Sequence, residues 1–335
     1  MSSAPTPEEI ARDASWLAQA LDPAAGLVRL IAMDRESYRA ASFLDDRMLQ
    51  QPVDAQVVPW PQVQAAMNGE LRTDARWIFH IGHVGSTLLS RLLGEIPGVL
   101  PIREPRFLRD LAAMPEDLRH PYFEPASKLM SRNFADDELA CVKATSFVSE
   151  IAPELVPPGK RALFMYATPG NYIASILAGE NSMKELRMLA AVRAGRMAER
   201  VSGPMAQGTN AQLAAVAWAC EMTSLESAAE RMADRMIEWL DFDRMLADVL
   251  EALAGAADHF GFAADEAQLT EIATGPLMTR YSKATEYEYS PALRRDLIAE
   301  AEARHRSAIE TALAMLRRAA EKSPLLARAI ARSES

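Results

Sequence analysis

At 335 residues, with 49% apolar and 24% charged side chains, the chain has ordinary globular composition. This excludes a disordered polymer or a fibre and allows either two domains or one large α/β unit. Its 36 basic and 46 acidic residues leave a net charge of -10, the wrong sign for a duplex-binding surface, so no nucleic-acid partner is expected and a polyanion would need a local patch. The two cysteines, Cys141 and Cys220, form no C-x-x-C pair, which excludes a disulfide framework and a structural zinc site. The opening MSSAPTPEEI lacks the order of a signal peptide, and the longest charge-free apolar stretch, 162–179, is broken by Pro169, Gly170 and Asn171. A cytoplasmic protein with no membrane span is expected, and the excess of Arg over Lys in an Ala-rich chain suits a GC-rich bacterial genome.

Residues 6–48 read as helices, with Thr6 as N-cap, Pro7 in the first turn, and Ile10, Ala14, Leu17 and Leu21 as the apolar positions. A Pro-containing connector follows at 51–61, so residues 1–70 are expected to form an N-terminal helical extension. The first strong strand is 77–81, and 86–95 has helical periodicity through Leu88, Leu89 and Leu92. Further strands are expected at 99–103, 140–145, 162–167 and 236–242, separated by helical patterns. That alternation predicts an α/β fold over 71–335: three layers, α/β/α, around a central parallel sheet. The helical stretch at about 182–234 is too long for a crossover and reads as an insertion or lid. The amphipathic tail 291–320, with Leu293, Leu297, Ile309, Leu313 and Leu316, reads as a helix packed on the core.

The most informative segment is His80-Ile81-Gly82-His83-Val84-Gly85-Ser86-Thr87, between the first strand and its helix. Glycines there let backbone N–H groups converge on an anion, and the helix N-terminus favours negative charge. A Walker A loop would need Gly at position 80 and Lys at position 86, where the chain has His80 and Ser86, so an ordinary NTPase or kinase is not expected. A dinucleotide fingerprint matches Gly82 and Gly85, lacks a first glycine, and finds an acid about 20 residues on in Glu104; it stands as an alternative.

The run FHIGHVGSTLLSRLLGEIPGVLPIREP, 79–105, resembles the 5′-phosphosulfate-binding loop and second strand of the PAPS-dependent sulfotransferase family, whose fold is P-loop-like. His83, Val84, Gly85, Ser86 and Thr87 stand where that family has a basic residue, a spacer, Gly and two hydroxyl residues. The resemblance continues through Arg103-Glu104-Pro105, Lys143 at a strand end, Pro169 and Ser175 after the fourth strand, and Trp239-Leu240-Asp241-Phe242. It covers about 70–320 and implies transfer of a sulfonate group from 3′-phosphoadenosine 5′-phosphosulfate (PAPS) to a hydroxyl or amine on a small-molecule or peptide acceptor, with no metal. On this resemblance Glu104 is the base, and His83 and Lys143 stabilise developing charge. Gly82, Val84, Gly85, Ser86, Thr87 and Ser175 bind the donor. His83 replaces a Lys or Arg, and Ala167 and Thr168 replace an Arg-Asp pair, so Arg280 and Lys283 are candidates for the missing phosphate contact. The remaining alternative is a P-loop-like protein that binds a phosphate or nucleotide without turnover. In its favour as an anion site, the window 72–109 carries six arginines against three acids in an otherwise acidic chain.

Overall fold

A computed structural model describes residues 4–201, 205–279 and 290–334. The first 70 residues correct the all-helical expectation. Short helices are present at Pro7–Arg12, Arg35–Ala40 and Trp60–Ala66, but β1 (Trp16–Asp22), β2 (Leu27–Ala32) and β3 (Ala55–Pro59) form a three-stranded antiparallel sheet among them. The four-residue spacing of Leu17 and Leu21 imitates a helical stripe. The turn between β1 and β2 decides otherwise: Asp22 accepts hydrogen bonds from the amides of Ala24 and Ala25, Pro23 fixes its own φ, and Gly26 sits at φ 65. The connector around 51–61 contains β3 and the start of the helix that follows it.

The expected strands are all present. β4 (Arg76–His80), β5 (Val99–Arg103), β6 (Leu139–Lys143), β7 (Arg161–Tyr166) and β8 (Met236–Asp241) form a parallel sheet in the order β5-β6-β4-β7-β8. Trp77, Ile78, Phe79 and their neighbours on β7 are buried, as near-continuous apolar strands must be when helices cover both faces. The chain winds from β4 to one edge at β5, returns through β6, and then crosses to β7 and β8 on the other side of β4. Ligands of open parallel sheets lie outside the strand C-termini at such a reversal. Lys143 lies in register with Arg103 on one side and Ile78 on the other, so the ends of β5, β6 and β4 bring Glu104, Lys143 and His80 together.

The stretch expected to be an insertion or lid holds two helices, Glu180–Arg200 and Asn210–Arg231. The tail forms the Pro291–Ala320 helix and a second, Pro324–Glu334. Ile309 and Leu316 pack into the core, whereas Leu293 and Leu297 remain 46% exposed, so the first turns of this helix do not follow the expected packing. One hydrophobic cluster runs from Ile10 through both sheets to Ala329. No helix among the described residues is long and apolar enough to cross a membrane.

Candidate active site

The β4 loop is built on three residues with left-handed backbone within four positions. Gly82, His83 and Gly85 adopt φ values of 80, 55 and 64, and Gly85 is the N-cap of the Ser86–Gly94 helix with no side-chain cap. Gly85 is required twice over, because its left-handed φ disfavours other residues and an added Cβ would fall inside van der Waals contact of the Phe242 ring. The first-turn amides are therefore left to a ligand or water. Thr87 is buried and its Oγ1 has no hydrogen-bond partner among the described residues, a polar cost that a bound anion would remove. His80 helps set the loop by accepting the Gly82 amide hydrogen at Nδ1, 2.9 Å away.

Glu104 faces this loop. It follows β5 with a φ of 54, its amide donates to the Lys143 carbonyl at 2.7 Å, and its side chain is buried. Lys143 Nζ donates to Oε1, and His80 Nε2 lies 3.9 Å from the same oxygen. Arg47 Nη2 contacts Oε2 at 3.1 Å. Arg47 is itself paired with Asp45 and stacked on Phe43, 3.2 Å from the ring centroid to Cζ. These three residues come from the N-terminal segment, and no local motif marks them. Their place depends on docking contacts far along the chain, including Leu44 N–H to the Arg103 carbonyl at 2.7 Å.

A cavity of about 660 Å³ joins loop and carboxylate. Gly82, His83, Val84, Gly85, Ser86, Thr87, Glu104, Lys143 and Ser175 all line it, so nine of the residues singled out from sequence meet at one place. Arg280 and Lys283 lie outside the described residues. His83 turns away from Glu104: its Nδ1 is 3.3 Å from Ser182 Oγ, and its Nε2 is 3.6 Å from Glu185. Position 167 is a different case from a simple loss of charge. Ala167 is buried, its carbonyl accepts the Trp218 indole N–H at 2.9 Å, and it does not line the cavity. Thr168 caps the Pro169–Ala178 helix by accepting the Asn171 amide hydrogen. On the far wall, Arg294 contacts Asp243 at 2.5 Å and lies over the Phe242 ring. Arg47, Arg109, Lys143 and Arg294 line the cavity with the carboxylates of Asp45, Glu104 and Glu185, and Arg294 and Arg109 also meet Asp243 and Asp46, so cations and acids are interleaved around it. Among the described residues, no group of three or more His, Cys, Asp or Glu side chains is placed to hold a metal ion.

No protein-family model matches the chain, and no curated protein matches it in sequence. Among solved structures, the chain is similar to a sulfotransferase domain from the curacin biosynthetic pathway (12% identity, 68% of this chain and 87% of that one, TM-score 0.41). It is similar at the same level to a sulfotransferase domain from the Synechococcus PCC 7002 olefin synthase (16%, 70% and 88%, TM-score 0.40). A third is the mouse sulfotransferase SULT7A1 complexed with PAP (10%, 80% and 92%, TM-score 0.40).

Proposed function

We propose that this protein is a sulfotransferase that moves a sulfonate group from PAPS to a hydroxyl or amine acceptor. One observation carries the reading: a glycine-built loop with no side-chain cap and a buried Thr87 hydroxyl without a partner among the described residues shares one cavity with the Glu104–Lys143 pair. Amides of Gly85 to Thr87 and the two hydroxyls would hold the 5′-phosphosulfate, as hydrogen-bond donors aimed at spread anionic charge do in phosphoryl transfer. Ser175 and Arg294, both on the cavity wall, would serve the second phosphate, since the residue at position 167 does not reach it.

In the transfer, the acceptor oxygen or nitrogen forms its bond to sulfur as the bond from sulfur to the bridging phosphate oxygen breaks. That electron pair leaves with adenosine 3′,5′-bisphosphate, and the acceptor proton passes to Glu104. Lys143, held beside Glu104 before the donor enters, stands where it stabilises charge building on the transferring group. Saturating adenosine 3′,5′-bisphosphate should raise the melting temperature by about 5 °C, with ATP–Mg or NAD doing much less. Equal indifference to all three would remove the enzyme reading and the dinucleotide alternative together.

A second reading has its own observation. Both Glu104 oxygens are engaged by cations, which suits a site that binds a phosphorylated ligand without turnover. The Glu104→Gln variant separates the two: the transferase keeps nucleotide binding and loses sulfonate transfer, whereas a binding protein has no transfer to lose.

A further inference from the structure

Four of the eight large apolar side chains left exposed among the described residues gather on two helices at this cavity. Met188, 74% exposed, and Val192, one turn on, belong to the Glu180–Arg200 helix; Leu293 and Leu297 belong to the start of the Pro291–Ala320 helix. Met188, Leu293 and Leu297 line the cavity directly, joined by Leu189 and Ile298. Residues 185, 188, 189 and 192 share one helical face, as do 293, 294, 297 and 298, so each helix turns a coherent stripe to the opening. Met188, Val192, Leu293 and Leu297 stand outside the core, which these helices reach through Leu186, Met197, Ile309 and Leu316, with Ile298 packed against its edge. Apolar side chains kept in water at the mouth of a pocket with a charged floor mark where a ligand with one polar end and one apolar end would lie.

We infer that the acceptor is an alcohol at the end of an extended apolar chain, its hydroxyl directed at Glu104 and its chain lying between the 188–189 and 293–298 stripes. The inference rests on the sulfotransferase reading and narrows its acceptor. A sugar fits poorly, because its many hydroxyls would lose water against Met188, Leu189, Leu293 and Leu297 without finding partners. The bond changes are those given above, with an alkyl sulfate and adenosine 3′,5′-bisphosphate as products.

The test uses the full-length protein and a series of primary alcohols from 1-butanol to 1-decanol, with calorimetry in the presence of adenosine 3′,5′-bisphosphate and product formation from PAPS. Affinity should strengthen roughly three- to fourfold per added methylene until the apolar wall is covered. Met188→Asn and Leu297→Asn should each weaken 1-decanol about fivefold or more and leave the nucleotide affinity unchanged. Failure to bind adenosine 3′,5′-bisphosphate at all would overturn the donor reading. Nucleotide binding with no dependence on chain length, or chain-length dependence untouched by both variants, would overturn the acceptor inference alone. So would self-association that the same two variants abolish, because the stripes would then be an interface between copies of this chain.

Discussion

Gly85 concentrates the demands of the loop on one residue. Its φ of 64 carries a cost of about 1–2 kcal/mol for any L side chain, and a new Cβ would also collide with Phe242, adding about 1–3 kcal/mol of overpacking. Gly85→Ala should therefore destabilise the protein by about 3 kcal/mol in urea unfolding and abolish the nucleotide-induced rise in melting temperature. The two contributions separate in a double-mutant cycle. Phe242→Leu should recover part of the stability lost by Gly85→Ala, and strictly additive effects would show that the ring is not the obstacle. The same loop explains what was legible at this scale. Gly82, Gly85, Ser86 and Thr87 announce themselves because anion binding by amides needs glycine, hydroxyls and a helix start within a few residues. Arg47 has no such signature: it reaches Glu104 only because β1 to β3 dock a distant segment against β5, and pairwise contacts of that kind leave no local pattern.

Among the elements, the Glu180–Arg200 and Asn210–Arg231 helices are tied to the segment after β6 by a charged cluster. Glu150, in the turn after β6, receives both oxygens' worth of hydrogen bonds from Arg200 at 2.7 Å and one from Ser224, and lies 3.4 Å from Arg196. Burial works to raise its pKa, but the charge and hydrogen bonds of Arg200, with Ser224 and Arg196, hold it below the ordinary carboxyl value of 4.5. A carboxyl depressed in the folded state contributes stability that is present above its unfolded pKa and is lost as pH falls through the folded one. Glu150→Gln should thus cost about 2–3 kcal/mol near neutral pH, and the difference from the parent protein should shrink as pH falls below the ordinary carboxyl value and through the lowered folded one. A deficit that stays constant across this range would mean that shape, not charge, holds the helices. Strand periodicity made β4 to β8 legible because each is a short, wholly apolar run between helices. β1 and β2 imitate a helix because their apolar residues also fall at helical spacing, and the signal that distinguishes them is the Asp-Pro-x-x-Gly turn between them.

At the scale of the whole molecule, the two sheets are held as one body by arginines whose partners are backbone carbonyls. Arg103, at the end of β5, donates to the carbonyls of Tyr38 and Arg39 at 3.1 and 3.2 Å and to that of Ala41, closing the C-terminus of the Arg35–Ala40 helix. Burial pulls its pKa down to about 9, with the like charge of Arg91 adding to the effect, and those carbonyls are what keep a guanidinium tolerable there. Arg132 does the same for Ile10 and Trp16, the latter at 2.7 Å. With these ties, one continuous core runs under both sheets. Urea unfolding followed by tryptophan fluorescence and by far-ultraviolet circular dichroism should therefore give coincident transitions, because Trp16 and Trp60 report on one sheet and Trp77, Trp218 and Trp239 on the other. Arg103→Met should shift both signals together by about 2–4 kcal/mol, since three carbonyls lose their donor. It should also weaken nucleotide-dependent stabilisation, because Arg103 precedes Glu104 and the segment it anchors carries Arg47. Two resolved transitions, or an Arg103→Met effect confined to one signal, would show instead that the N-terminal sheet is a separate unit resting against a self-sufficient α/β domain.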